Sequence, residues 1–389
     1  MGWPFNRKEI SEIWKWPHIF WLNIFGWWAE HAKTEFLRTW LSRYRFILCV
    51  YFTIVTSMML IAVGVRCVQG GILDNMFTVF GACPGIVGIF KVYCLILFSK
   101  PLKNAMEGID ELFLDSKDPN ETKMIRNTLK RVWIIFTFYL IMGSCISMHW
   151  VVRPVISAIF FGEKTRIVDT WPPFIDTWPQ FFFSFCYQLP MILGLGHAFY
   201  IFDNIYFCIS ECILCNLAVL QYRLNRMKLK EKQGRSVDLV HSIEYYSKIL
   251  RTCTYLRDSS SAVIIFQCII TVTILCSGVF IITMAEHTDV NVLMNLGEES
   301  TVVVFVLYFY CWYSNEIRFQ CQDVCNAAYM SDWTNGTEEN KKSLLVLMTR
   351  TAKPVMFGGI LEIDLSTFFT VLKATFSYYN FLIACVSNK

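Results

Sequence analysis

Apolar residues fall into long runs separated by charged blocks, and seven of these runs are long enough to cross about 30 Å of hydrocarbon as helices. They cover residues 46–65, 76–98, 132–152, 181–208, 262–283, 301–312 and 363–386. The sixth is the shortest and runs on toward 319, where Glu316 and Arg318 dilute it. The pattern predicts an all-α polytopic membrane protein. Its regions are a bundle over 1–315, cytoplasmic helices over 316–359 and a last helix over 360–389. Ahead of the first run, residues 1–45 mix Trp3, Trp14, Trp16, Trp21, Trp27 and Trp28 with Lys and Arg, as expected of a helix at the membrane interface.

The last run carries a polar stripe. Ser366, Thr370, Lys373, Ser377, Asn380 and Ala384 recur every three or four residues and so share one helical face. Phe368, Phe369, Leu372, Phe376, Tyr379 and Leu382 fill the other faces. A charged group at membrane depth costs roughly 2.5–3.5 kcal/mol, so a continuous stripe needs water or protein beside it. A pore wall meets that need, and so does packing within the bundle.

Basic residues orient the chain. Of 35 Lys and Arg, 28 lie before span one or in the connections two–three, four–five and six–seven. Five lie on the opposite side, and Lys91 and Lys373 fall within spans. The positive-inside rule places the N-terminus in the cytosol, and seven spans place the C-terminus outside. This is the reverse of a G-protein-coupled receptor, and no Asp-Arg-Tyr or Asn-Pro-x-x-Tyr motif is present. The sequons at Asn120 and Asn335 then fall in cytoplasmic segments and should stay unmodified.

Composition adds little chemistry. The chain is 55% apolar with a mean hydropathy of +0.43. Most of its 16 cysteines lie in or beside spans, where they act as small apolar fillers. No HExxH, Walker or GxSxG motif occurs, no cofactor is implied, and the cytoplasmic segments are too short for a separate catalytic domain. His149 and His197 are isolated within spans and read as core residues. Helical periodicity continues past span four through 217–229, resumes over 237–257 into span five, and recurs over 316–333 and 342–353. These extensions predict a helical layer on the cytosolic side. Its apolar Leu344, Leu345, Leu347 and Met348, with Tyr329 and Trp333, are candidates for a subunit interface.

The C-terminal motifs have a known counterpart. AAY at 327–329, Trp333, LLVLMTRTAKP at 344–354 and LSTFFTVLKATFSYY at 365–379 resemble the signature of insect odorant receptors. Tyr222-Arg223-Leu224 at the end of span four is a weaker point of likeness. Gustatory receptors, the related group, end in Thr-Tyr-x5-Gln-Phe; here Ser377-Tyr378 is followed by no Gln-Phe.

The resemblance implies an odorant-gated, non-selective cation channel in the plasma membrane of olfactory neuron dendrites. Four subunits would surround one pore lined by their last helices, with cytoplasmic helices joined as an anchor. The short segment between spans four and five implies an odour-tuning subunit that assembles with the shared odorant co-receptor. The motif places the gate at Phe381, with Cys385 one turn further out and Thr370, Lys373, Ser377, Asn380 and Ala384 along the pore face. The implied pocket for a small volatile odorant is in the outer half of the bundle, where Phe77, Phe80, Gly143, Ile146, Trp150, Phe183, Tyr187, Met191, Phe280, Phe305 and Tyr308 are the candidate lining residues. Tyr187 and Tyr308 are the candidate polar contacts, with affinity resting mainly on apolar burial.

Overall fold

The computed structural model describes residues 16–387 apart from 30, 31, 33, 73–74, 117, 174, 228–235, 285–289, 353–356 and 358–361; the side chains of Trp16, Asn291 and 385–387 also lie outside the described set. Trp3, Trp14 and the side chain of Cys385 therefore fall outside it. Among the described residues the elements are α1 (Trp16–Ile24), α2 (Glu35–Gly70), α3 (Met76–Leu97), α4 (Ser99–Asp115), α5 (Pro119–Ile156) with a π turn at Ser157–Phe161, α6 (Trp178–Arg226), α7 (Val237–Met284), α8 (Val290–Tyr329), α9 (Glu338–Thr351) and α10 (Leu365–Ser387). No strand occurs among them. The chain is an all-α polytopic membrane protein: α2, α3, α5, α6, α7 and α8 are long and apolar enough to span. The seventh long helix, α10, has 23 residues and carries the polar stripe.

Several helices far exceed the membrane. α6 has 49 residues, and at 1.5 Å per residue it is about 73 Å long, more than twice the hydrocarbon thickness. With the long α5, α7 and α8 it continues on the basic side and packs there with α4 and α9. The predicted cytoplasmic layer is therefore built from extensions of the spans themselves. α8 begins at Val290, well before the apolar run at 301, and so carries Glu298 and Glu299 inside a helix. α1 does not lie apart at the interface. It docks on the bundle, with His18 edge-on to Phe136 at 5.1 Å and Trp21 stacked on His197 at 5.2 Å, and Trp27 in the turn that follows is fully buried.

α6 is the axis of the core. Residues 201–213 are all buried, because α5, α8, α3 and α7 pack around it. At its centre the Lys91 ammonium from α3 lies 2.7 and 2.8 Å from the two Asp203 carboxylate oxygens. Tyr310 from α8 donates to the same carboxylate at 2.6 Å. The Lys91 ammonium also sits 3.7 Å from the centre of the Phe199 ring. Both charges are buried, so each needs the other: removing one partner of such a pair costs roughly 3–5 kcal/mol. The network ties three spans together in register.

The cytoplasmic layer has its own clamp. Arg223 forks onto Glu121 at 2.8 and 2.9 Å, reaches Asp115 at 3.2 Å and stacks 4.3 Å from the centre of Tyr245. His241 bonds Asp115 from the other side at 3.0 Å. Burial pushes the Asp115 carboxyl up, but the hydrogen bonds from Arg223 and His241 outweigh it and hold the group below its ordinary value. One arginine thus joins α4, α5 and α6, with its planar fork matched to a carboxylate. The 15 described cysteines are free. Cys212 and Cys215, though spaced as CxxC, are buried in α6, and no metal-binding cluster forms among the described residues.

Candidate ligand cavity and pore helix

A cavity of about 70 Å³ lies in the outer half of the bundle between α3, α5, α6 and α8. Gly81 and Gly85 thin the α3 wall, with open space where a Gly81 side chain would project, and Pro84 between them interrupts the helix ladder. Ile146, Ser147 and Trp150 come from α5, residues from Met191 to Tyr200 from α6, and Glu299 and Val302 from α8. Met59 of α2 and Val168 of the loop before α6 complete the wall.

That loop is held as a roof by one buried amide. The Gln188 side-chain oxygen accepts from the backbone N–H of Ile167 (3.0 Å) and Val168 (3.2 Å), and its nitrogen donates to Val168 O and Thr170 Oγ1. Above it, a wider vestibule of about 350 Å³ shares Met59, Gly81, Trp150 and Val168 with the cavity. Its rim carries Arg66, Arg153, Lys164, Arg166 and Asp169, of which Arg66 and Asp169 pair at 2.9 Å.

The cavity brings together Ile146, Trp150 and Met191 from the sequence-derived candidates, while Phe77 and Phe80 line the vestibule. Gly143 lies in a neighbouring cleft, where a side chain would collide with the Tyr200 ring at 2.3 Å; it lets Tyr200 lie flat on α5. Phe280 is buried, away from the cavity lining. Phe305 packs among Phe138, Tyr139 and Phe309. Phe183 is 73% exposed on the outer surface. Neither proposed polar tyrosine reaches the cavity: Tyr187 bonds Thr170, and Tyr308 stacks edge-on against Phe368 of α10 at 5.6 Å. Ser147, Phe199, Tyr200 and Glu299 line the cavity without having been anticipated.

α10 divides sharply into two faces. Phe368, Val371 and Thr375 are buried against α7 and α8, whereas Ser366, Thr370, Lys373, Ser377, Asn380, Phe381 and Ala384 are all exposed. The stripe therefore points away from its own bundle. Thr370 and Phe381 border an open groove between α10 and α7. At the start of α10, Asp364 accepts from the Thr367 backbone N–H (2.9 Å) and from the Ser366 (2.7 Å) and Thr367 (3.1 Å) hydroxyls, with Arg318 of α8 at 4.0 Å. The same helix, α8, thus lines the cavity at one end and holds α10 at the other.

Residues 70–376 match the family described as 7tm Odorant receptor. The chain belongs to that family. Among its relatives, Odorant receptor 10 of Aedes albopictus is 20% identical over 87% of this chain and 91% of its own length. Odorant receptor 30a of Drosophila melanogaster is 25% identical over 69% and 71%. The insect olfactory receptor OR5 from Machilis hrabei, solved in complex with eugenol, superimposes with a TM-score of 0.84 over 98% of this chain and all of that one, at 16% identity. That likeness carries the fold.

On this odorant receptor the candidate interface residues separate by helical face. Leu344 and Leu347 are buried in the chain's own core, and Met348 is half-buried. Leu345 and Val346, each 63% exposed, form the outward face of α9. Tyr329 is exposed and Trp333 half-buried, its indole N–H donating to Tyr329 O.

Proposed function

We propose that this receptor is an odour-tuning subunit of a cation channel that opens when a small volatile odorant enters the outer cavity. The observation that carries this reading is the pairing of a largely apolar cavity with a last helix whose polar stripe faces away from its own bundle. Four subunits, including the shared co-receptor, would bring such stripes together around water. Phe381 at the outer end would then close the pore by excluding water, and outward movement of α10 would rewet it. Leu345, Val346 and Tyr329 would supply apolar contacts in the joined cytoplasmic layer.

α8 provides the transmission. Ligand contacts at Glu299 and Val302 bear on a single continuous helix that meets α10 through Tyr308–Phe368 and Arg318–Asp364. The reading places the receptor in the plasma membrane of olfactory neuron dendrites, with no enzymatic step.

The test is electrophysiological. Cells expressing the receptor with the co-receptor should pass odorant-evoked, non-selective cation currents across an odorant panel, and cells expressing either chain alone should differ from them in odour profile. Odorant responses that require a G protein and pass no current through the complex would refute the proposal.

A further inference from the structure

Three polar side chains line the cavity without a hydrogen-bond partner among the described residues: Glu299 from α8, Ser147 from α5 and Tyr200 from α6. Glu299 is only 9% exposed and Ser147 only 4%. The contrast with the adjacent acid is informative, since Glu298 is bonded to His149 at 2.6 Å. Buried polar groups are almost always satisfied, and a carboxyl left without a partner is destabilising. An orphaned carboxyl facing a cavity is therefore a ligand contact waiting for its donor. Among the described residues no other charged side chain lines the cavity wall.

We propose that Glu299, supported by the Ser147 and Tyr200 hydroxyls, selects odorants that carry a hydrogen-bond donor, an O–H or N–H group on a small apolar body. A carboxyl oxygen accepts such a bond whether or not the group is ionised, which makes a donor the class of ligand it always suits. The apolar body would rest on Trp150, Met191 and Phe199. Between an alcohol and an ammonium the rim favours the neutral molecule. Arg153, Lys164 and Arg166 outnumber the acidic groups at the vestibule, with Arg66 and Asp169 already paired, so a cation entering would meet net positive charge. A site that expects a donor discriminates strongly against an isostere that lacks one, because its own acceptor is then left unpaired.

This inference rests on the outer cavity being the odorant site, and the experiment separates the two claims. The purified receptor–co-receptor complex in nanodiscs would be titrated with matched pairs, benzyl alcohol against benzyl methyl ether and phenol against anisole. Binding would be followed by tryptophan fluorescence, and currents recorded in parallel from cells. The alcohol or phenol should bind about tenfold or more tightly than its ether in the native receptor. Glu299→Leu should shrink that ratio to less than about threefold, and Glu299→Gln, whose amide oxygen still accepts, should restore it. Equal binding of alcohol and ether by the native receptor, or an unchanged preference in Glu299→Leu, would overturn the proposal. A preference for benzylamine that Glu299→Gln abolishes would also overturn it, in favour of an ion pair. Donor-selective binding without any current would uphold the site while refuting the channel.

Discussion

The cytoplasmic layer and the outer cavity both bury acids, yet they use them in opposite ways. Below the membrane, both carboxylate oxygens of Asp115 and of Glu121 are held by Arg223 and His241. In the outer half, Glu299 faces empty space while its neighbour Glu298 holds His149. Saturated acids fix the positions of helices; an unsaturated one in a cavity selects what enters. The Lys91–Asp203–Tyr310 network lies between these extremes in the chain's core, saturated and inaccessible.

Substitutions in the saturated networks should produce the largest effects. Asp203→Leu leaves Lys91 buried without its counter-charge, so a loss of roughly 3–5 kcal/mol is expected, enough to remove folded receptor from the cell surface. Adding Lys91→Met to that variant should recover surface expression by removing the stranded charge. Size-exclusion profiles and surface labelling would check both, and a double variant as unstable as the single one would show that the pair is not the determinant. Arg223→Ala should cost about 2–3 kcal/mol through lost charge-assisted bonds, visible as a lower melting temperature of the purified complex, while the odour ranking of surviving channels stays the same.

Within α9, assembly should respond to the outward face and not to the buried one. Leu345→Asp with Val346→Asp should abolish co-purification with the co-receptor while leaving the monomer's fold intact, whereas Leu344→Asp should unfold the layer itself. Retained co-purification of the exposed-face pair would move the interface elsewhere. On α10, in a background with Cys385 replaced by Ser, Ser377→Cys and Asn380→Cys should react with a water-soluble thiol reagent during odorant application. Thr375→Cys, on the packed face, should not. Uniform reactivity, or none, would mean that the exposed stripe does not face the permeation path.

The spans and the inverted charge pattern were legible in the sequence because both are set by long windows of composition. The polar stripe of α10 was legible for the same reason: its period is helical, and the structure leaves that whole face exposed. Single side chains were harder to place. Asp203 sits in an apolar run and pairs with Lys91, 112 residues away, so no local pattern announces the bond. Glu299 escaped notice because two consecutive acids and Asn295 make 284–300 look like a loop, whereas tertiary packing extends α8 back to Val290. Among so many aromatics, Phe183 on the outer surface, Phe280 in the core and Trp150 at the cavity cannot be told apart by residue type. The run from Leu344 to Met348 is apolar throughout, so its buried and exposed faces emerge only when α9 docks.

The most direct test of the outer cavity is the dose–response of Trp150→Ala against Trp171→Ala, each expressed with the co-receptor at matched surface levels. Trp150 lines the cavity, whereas Trp171 sits in the loop outside it. Loss of the Trp150 ring should weaken odorant potency by roughly 10- to 100-fold, about 1–3 kcal/mol of aromatic contact, and reorder the odorants, with a smaller shift for Trp171→Ala. Identical odour profiles for Trp150→Ala and the native receptor would contradict the account and place the ligand outside this cavity.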